Sequence, residues 1–130
     1  MTETTETQRE RGLAILNDVY RRDLGINGEK DPFQEVTVDH LFGDIWARDG
    51  LEYRDRRLMT IGVLAAIGRD ELVELQLFSA LERGEFTTDQ VNEIVVFLTH
   101  YIGWPHGSAV NNAAQRAIAD HLEAAAARGD

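Results

Sequence analysis

Apolar side chains recur every three or four positions along most of this chain, and glycines interrupt the pattern at intervals. Leu13, Leu16 and Val19, for example, fall on one side of a helix, and Gly25 then breaks it. The alternating stretch at residues 36–42 lies among helical patterns, so we expect a helix there or a loop leading into one. The pattern predicts six helices, over about residues 6–23, 32–47, 53–67, 70–84, 87–103 and from 105 onward.

These helices predict an all-α fold with one domain over residues 1–130, because a chain of this length suits one core. The third helix becomes apolar on every side, so it is expected at the centre of the fold or in a subunit interface. Helices three to five are therefore expected to form an antiparallel core. Asp70 is the expected cap of the fourth helix, and Thr87 with Gln90 has capping-box spacing at the start of the fifth.

The last two helices carry further packing signals. Val96 and Phe97 give the fifth helix apolar surface outside its main stripe, more than a monomer of this size covers easily. A homo-oligomer is the simplest remedy, so we expect the chain to bind copies of itself. The last helix has a stripe that we expect to be buried, which consists of Val110, Ala113, Ala114, Ala117, Ile118 and His121.

Charge and composition exclude several classes of function. The formal net charge of −10 argues against binding to nucleic acid and to anionic membrane surfaces. The longest apolar run, residues 58–68, is too short to cross a bilayer. The chain has no cysteine, which excludes disulfides, thiolate metal sites and thiol redox chemistry. The polar N-terminal residues contain no apolar signal segment, so a cytoplasmic protein is expected.

A cluster of arginines begins the third helix, at Arg54, Arg56 and Arg57. The planar guanidinium group binds carboxylates through two hydrogen bonds, so the cluster suits an acidic small molecule. Ion pairs with Asp55, Glu52 or acidic residues of neighbouring helices are the alternative. Positive charge at a helix N-terminus is unfavourable, which favours a specific partner for the cluster.

Four histidines are present, and no pair of them has the spacing of a helical metal site, so no metal is expected. His100 lies on the same side of its helix as Glu93, which suits a general acid or base, although a hydrogen-bonded core or interface histidine is the alternative. His106 is at a helix start, where the helix dipole favours a neutral ring. His121 is expected to serve packing, and His40 has no assigned role.

Trp46 and Trp104 lie at helix ends, where they suit either the walls of a pocket for a flat ligand or anchors of core packing. The sequence has no glycine-rich phosphate loop, no nucleophile elbow and no paired-carboxylate signature. From the residues alone, the chain is therefore an acidic helical oligomer without an assigned reaction.

The stretch from residue 43 to residue 114 resembles the carboxymuconolactone decarboxylase family, the cysteine-poor branch of the alkylhydroperoxidase-D-like fold. The matching segments are GDIWARDGLEYRDRRLMTIGVLAAIGRDEL, LFSALERGEFTTDQVNEI and YIGWP followed by a helix rich in alanine and asparagine. The resemblance implies a six-helix subunit that assembles into a homotrimer or homohexamer. It also implies a cofactor-free decarboxylation of γ-carboxymuconolactone. The redox branch uses a CxxC motif, which this chain lacks, so thiol peroxidase activity is excluded.

The chain keeps some residues of the family pattern and departs from others. It matches at Arg57, Arg69, Glu71, Tyr101, Gly103 and Pro105. Gln76 stands where similar decarboxylases have a histidine, and Phe97 stands where many members have another. The alternatives are therefore a related lyase, isomerase or hydrolase acting on another lactone or cyclic acid, and a non-catalytic oligomer that binds a small carboxylic acid.

For a decarboxylase, we expect Arg57 to hold a substrate carboxylate other than the one that leaves, because a cation on the leaving group would stabilise the ground state. His100 or His106 is expected to deliver the proton, Gln76 to form a hydrogen bond with the lactone, and Trp46 or Trp104 to exclude water. The remaining candidate substrate-binding residues are Arg54, Arg69, Trp46, Tyr101 and Trp104.

Overall fold

The computed structural model describes residues 5–130 of the chain, with side chains from Thr7 onward. Helices are the only regular elements in these residues, which confirms the predicted all-α class. The chain divides into two compact units, Met1–Arg56 and Arg57–Asp130. The helices are α1 (Thr5–Val19), α2 (Pro32–Val36) continued by a π-helical segment (Thr37–Ile45), α3 (Tyr53–Ala66), α4 (Asp70–Glu82), α5 (Thr88–Ile102) and α6 (Trp104–Ala127).

The alternating stretch at residues 36–42 is helical, as expected, and most of it has π-helical geometry. Side chains of α1 hold this π-helical segment in the N-terminal unit. Gln8 donates to the main-chain oxygen of Asp39 at 2.9 Å, and Arg11 donates to that of Gly43 at 2.7 Å. Arg9 binds both carboxylate oxygens of Asp39 at 3.0 Å. The bonds from Gln8 and Arg11 satisfy main-chain carbonyls in a helix type that is rare.

Gly12 is the point of closest approach between α1 and the π-helical segment. A Cβ atom at this position would lie 2.0 Å from the main-chain oxygen of Val38, which cannot rotate away. Gly12→Ala is therefore expected to lower the free energy of unfolding by about 3 kcal/mol or more, measured by urea denaturation.

Gly62→Ala is the matched control for that prediction. Gly62 lies in α3, and no described atom beyond its chain neighbours and its own helix backbone lies within 4 Å of an added Cβ. Alanine is therefore expected to raise stability by about 0.5–1 kcal/mol through helix propensity. If the two variants unfold at the same urea concentration, the predicted clash between a Cβ atom at Gly12 and the main-chain oxygen of Val38 is wrong.

The core of the C-terminal unit takes residues from all four of its helices. Its fully buried apolar members include Ile61 and Ala65 from α3, Val73 and Leu77 from α4, Val91 from α5, and Val110, Ala113, Ala114 and Ala117 from α6. The stripe predicted on the last helix is confirmed for these four α6 residues. The expected core of helices three to five is therefore incomplete, because α6 packs against both α4 and α5. Small side chains allow this approach.

The sequence predicted that α3 lies either at the centre of the fold or in a subunit interface. The structure buries only one face of α3, so a fully buried central position is wrong, and the subunit interface stays a prediction. Arg57, Ile61 and Ala65 form its buried face, whereas Met59 and Val63 are more than half exposed. The same four-residue spacing that buries one stripe leaves the other at the surface.

Helix ends agree with the sequence at one position and disagree at another. Thr87 and Gln90 form the predicted capping box, with Thr87 Oγ1 accepting from the Gln90 N–H at 3.1 Å. Asp70 is the first helical residue of α4, and the N-cap is Arg69 without a side-chain cap, so the predicted Asp70 cap is wrong. No helix within residues 5–130 is long and apolar enough to cross a membrane.

Candidate active site

A cavity of about 330 Å³ lies between α5 and the first two turns of α6. Its lining consists of Val95, Val96, Thr99 and His100 from α5 and Trp104, Gly107, Ser108 and Asn111 from α6. Gly103 alone joins the two helices, with a φ of 91° that favours glycine. The reversal at this residue places the C-terminal half of α5 beside the N-terminal half of α6.

Gly107 lets the two helices meet at this cavity. A Cβ atom here would lie 2.4 Å from Thr99 Oγ1, so only glycine fits against the threonine side chain. Thr99 is buried and donates its hydroxyl to the main-chain oxygen of Val95 at 2.7 Å. The contact between Thr99 and Gly107 therefore brings His100 and Trp104 close together on facing helices.

His100 is held in one orientation by its own helix. Its Nδ1 lies 2.7 Å from the main-chain oxygen of Val96, and its ring meets the ring of Trp104 edge-on at 5.5 Å. A carbonyl oxygen can only accept, so Nδ1 carries a proton and Nε2 is the nitrogen that exchanges one. The sequence suggested that Glu93 would support this ring. Glu93 instead lines a separate hollow with Leu58, Ile94, Phe97 and Leu98, so that part of the prediction is wrong.

Arg57 lies in a buried polar network elsewhere in the C-terminal unit. Its Nε and Nη2 bind the two carboxylate oxygens of Glu85 at 2.9 and 3.0 Å, and its Nη1 donates to Gln76 Oε1 at 3.1 Å. The side chain of Arg57 is fully buried and that of Glu85 is 6% exposed. The alternative prediction of an ion pair is thus confirmed for Arg57, and its partner Glu85 lies in the segment between α4 and α5.

The pKa of Glu85 reflects two opposing effects. Burial raises it, but the hydrogen bonds and charges of Arg57 and Arg83 lower it by more, so the pKa lies below its ordinary value of 4.5. The carboxylate is therefore ionised at neutral pH and neutralises the buried guanidinium. Arg57 and Gln76 meet each other in this network, and neither lines the cavity that contains His100. A role for either in binding substrate stays a prediction.

The second candidate proton donor, His106, lines a different hollow of about 240 Å³ together with Gly68, Asp70, Pro105 and Ala109. Arg69 forms an exposed ion pair with Glu71 at 2.8 Å. A hydrogen bond from its own main-chain N–H is the main cause of a lowered pKa at Glu71, and the hydrogen bond from Arg69 adds to it. These groups lie at the surface, and a role for them in substrate binding stays a prediction.

The remaining candidates lie in both units. Tyr101 is 78% exposed, and its ring packs against Phe97 with centroids 5.1 Å apart. In the N-terminal unit, Trp46 is buried between the rings of Phe42 and Tyr53, which confirms the packing alternative for this residue. Arg54 is partly buried at the start of α3.

His121 was expected to serve packing, but the structure gives it a polar partner. Its Nδ1 lies 3.1 Å from a carboxylate oxygen of Glu82, which Arg128 also binds. The Arg128 hydrogen bond is the main cause of a lowered pKa at Glu82, and His121 adds to it. This cluster ties the end of α6 to the end of α4. Among the side chains of residues 7–130, no group of three histidine or acidic residues could hold a metal ion.

Reasoning from the sequence missed Thr99, Ser108, Asn111 and Glu85. Ser108 and Asn111 follow Trp104 by four and seven residues, so the three side chains share one face of α6. This spacing could have identified Ser108 and Asn111 from the sequence. The partnership of Glu85 with Arg57 has no such signal, because 28 residues separate the two.

The profile of the carboxymuconolactone decarboxylase family matches residues 31–116, which include the whole α5–α6 cavity and the Arg57 network. The chain belongs to the carboxymuconolactone decarboxylase family. This confirms the resemblance found in the sequence. The residues that the family profile matches also include α2, the π-helical segment and the first half of α6.

Two proteins of known function are similar to this family member over most of its length. The 4-carboxymuconolactone decarboxylase of Acinetobacter baylyi is 28% identical over 121 residues, which cover 88% of this chain and 90% of the relative. The nitrosuccinic acid decarboxylase npaB of Metarhizium robertsii is 30% identical over 120 residues, which cover 86% of this chain and 82% of the relative. Both relatives are named as decarboxylases, and their named substrates differ.

Proposed function

We propose that this protein is a decarboxylase of a small carboxylic acid that carries its own electron sink, in the class of 4-carboxymuconolactone. Both similar proteins are decarboxylases by name, and the family model spans the proposed site. The observation that carries the proposal is His100, whose Nδ1 is engaged by the Val96 carbonyl while its ring lines a cavity of ligand size. A histidine oriented in this way can deliver a proton through Nε2.

The reaction can proceed without a cofactor because the substrate supplies the sink. The bond between carbon and the leaving carboxylate breaks, CO₂ departs, and the electron pair remains on the carbon and delocalises onto the conjugated carbonyl oxygen. Protonated His100 then gives the Nε2 proton to the enolate and becomes neutral, and solvent restores the proton. The ring of Trp104 forms one wall of the cavity and packs edge-on against the His100 ring, which orients the proton donor toward the anionic intermediate.

In this proposal the geometry favours the His100 cavity over the Arg57 network as the place of reaction. A substrate carboxylate on Arg57 would have to replace Glu85, which binds the guanidinium through two oxygens in a buried site. Such a replacement would leave a buried carboxylate without its cation, which is costly. Arg57 and Glu85 are therefore proposed to stabilise the unit that carries the cavity.

The proposal is tested by following the loss of 4-carboxymuconolactone by ultraviolet absorbance, together with CO₂ release. We expect turnover by the purified wild-type protein with one CO₂ released for each lactone consumed. Nitrosuccinic acid serves as the second substrate, since the other relative acts on it by name. Loss of the lactone without CO₂ would contradict a decarboxylase and favour a hydrolase or isomerase. The absence of turnover with both acids would contradict decarboxylation of this class of acid.

A non-catalytic protein that binds a carboxylic acid is the second candidate. It is favoured by Gln76, because the resemblance described above implies a histidine at this position and the Gln76 side chain instead accepts a hydrogen bond from Arg57. Binding of 4-carboxymuconolactone to the wild type without any loss of its absorbance would support this second function.

We also propose that the protein works as a homo-oligomer. Met59 and Val63 on α3 and Ile67 directly after it form an exposed apolar stripe. Val96, Phe97 and Tyr101 form another exposed group on α5. Apolar surface of this extent is typical of subunit interfaces. Sedimentation equilibrium tests the proposal. A monomer at micromolar concentration would contradict it.

A further inference from the structure

The side chains of α5 and α6 form a chain of amide groups that ends at the cavity. Gln115 Nε2 donates to Asn92 Oδ1 on α5 at 2.9 Å and to Asn111 Oδ1 on α6 at 3.3 Å. Asn111 lines the cavity, whereas Gln115 and Asn92 do not. Gln115 is therefore held between the two helices and contacts the cavity only through Asn111.

This arrangement determines what Asn111 can offer to a ligand. An asparagine amide has an oxygen that accepts and an NH₂ group that donates, on different sides of the same carbon. Oδ1 accepts from Gln115 Nε2, so the NH₂ group is the part of the Asn111 amide that is left to donate, and Asn111 lines the cavity. His100 on α5 and Asn111 on α6 thus present hydrogen-bond donors from facing walls, once the imidazole is protonated.

His100 and Asn111 are hydrogen-bond donors that suit a substrate oxygen that becomes negatively charged during the reaction. A donor placed where charge develops stabilises the transition state more than the ground state. Among the described residues that line the cavity there is no lysine or arginine that would bind the leaving carboxylate and so stabilise the ground state. The ligand chemistry that fits is a small organic acid with a carbonyl or nitro oxygen conjugated to the carbon that loses CO₂.

We propose that Asn111 Nδ2 donates a hydrogen bond to the substrate oxygen that accepts the electron pair, and that Gln115 is a positioning residue that holds the Asn111 amide in the donating orientation. The inference rests on the proposed function for the identity of the reacting oxygen. The orientation of the amide and its affinity for an acid do not depend on turnover.

Two substitutions test the two roles. Asn111→Asp replaces the donor by a carboxylate of the same shape, and is expected to lower kcat/KM for 4-carboxymuconolactone about 100-fold or more. Gln115→Glu leaves Asn111 in place but changes its partner into an acceptor. The Asn111 NH₂ group then turns toward the new carboxylate, and Oδ1 faces the cavity. We expect a loss of about 10-fold in kcat/KM.

Controls separate orientation from charge and from stability. Asn112→Asp adds the same charge next to Asn111 on an exposed position that does not line the cavity, so its kcat/KM should stay within about 2-fold of the wild type. In an Asn111→Ala background, Gln115→Glu should have no further effect, because Gln115 acts through Asn111. A merely structural role of Gln115 would cost the same in both backgrounds.

Acid binding is measured separately from turnover, with succinate as the probe. Trp46→Phe leaves Trp104 as the only tryptophan, so its fluorescence reports on the cavity. Succinate should bind this protein and bind about 10-fold more weakly after Asn111→Asp or Gln115→Glu. Equal affinity in all three proteins, or no binding by the first, would overturn the inference. Weaker binding in the variants of a protein that does not decarboxylate either acid would support the donating orientation of Asn111 and the positioning role of Gln115, while contradicting the proposed function and with it the identity of the reacting oxygen.

Discussion

His100→Gln is expected to lower kcat for decarboxylation of 4-carboxymuconolactone by about 100- to 10,000-fold, which is the usual contribution of a general acid. Glutamine has a similar length and can still form hydrogen bonds, but it cannot transfer a proton at neutral pH. The KM should change little, because the walls of the cavity and the Asn111 amide remain. Initial rates from ultraviolet absorbance, at several substrate concentrations, give both constants.

His40→Gln is the matched control for this prediction. His40 is exposed on the π-helical segment, with Nδ1 3.6 Å from a carboxylate oxygen of Asp44, and it has no part in the proposed reaction. His106→Gln tests the other candidate donor, whose ring lines a different hollow. Loss of activity in His106→Gln with full activity in His100→Gln would transfer the proton donor to His106 and contradict the proposed site.

Glu85→Ala is expected to lower the free energy of unfolding by about 3–5 kcal/mol, which is the cost of leaving one partner of a buried ion pair without the other. Arg57 would keep a fully buried guanidinium and lose the carboxylate that binds its Nε and Nη2. Urea denaturation followed by circular dichroism measures the change. Glu71→Ala is the control, because it breaks an exposed ion pair with Arg69 and should change stability little.

The contribution of Glu85 should also depend on pH. Its pKa in the folded protein is below the ordinary value of 4.5, so its ionised form contributes stability that is fully present above that value. The contribution is lost as the pH falls through the lowered pKa. The difference in unfolding free energy between the wild type and Glu85→Gln should therefore be constant from about pH 6 to 8 and become smaller below about pH 4.5. A difference that grows on acidification would contradict the lowered pKa.

The helices of this protein could be predicted from the sequence because their signals are local. The capping box of Thr87 and Gln90 and the glycine after α5 act within a few residues, and both are present in the structure. The π-helical geometry of Thr37–Ile45 could not be predicted, since donors from α1, such as Gln8 and Arg11, stabilise it from about 30 positions away.

The candidate site was predicted only in part, for the same reason. His100 and Trp104 were identified from residue type and position, and they lie in one cavity. The other residues of the cavity include Thr99, Gly107 and Asn111. Their roles could not be predicted, because these roles follow from the way α5 and α6 pack against each other. The arginine cluster predicted an acidic partner. The partner that the structure shows for Arg57 is acidic, and it is Glu85 of the same chain.

The most direct test of this account is a crystal structure of the His100→Gln protein soaked with 4-carboxymuconolactone, since the slow variant should retain the intact acid. We expect electron density for the lactone between α5 and α6, with a conjugated oxygen within hydrogen-bond distance of Asn111 Nδ2 and the Arg57–Glu85 pair unchanged. Density for the acid on the Arg57 guanidinium, with Glu85 displaced, would contradict the central claim that the α5–α6 cavity is where the acid reacts.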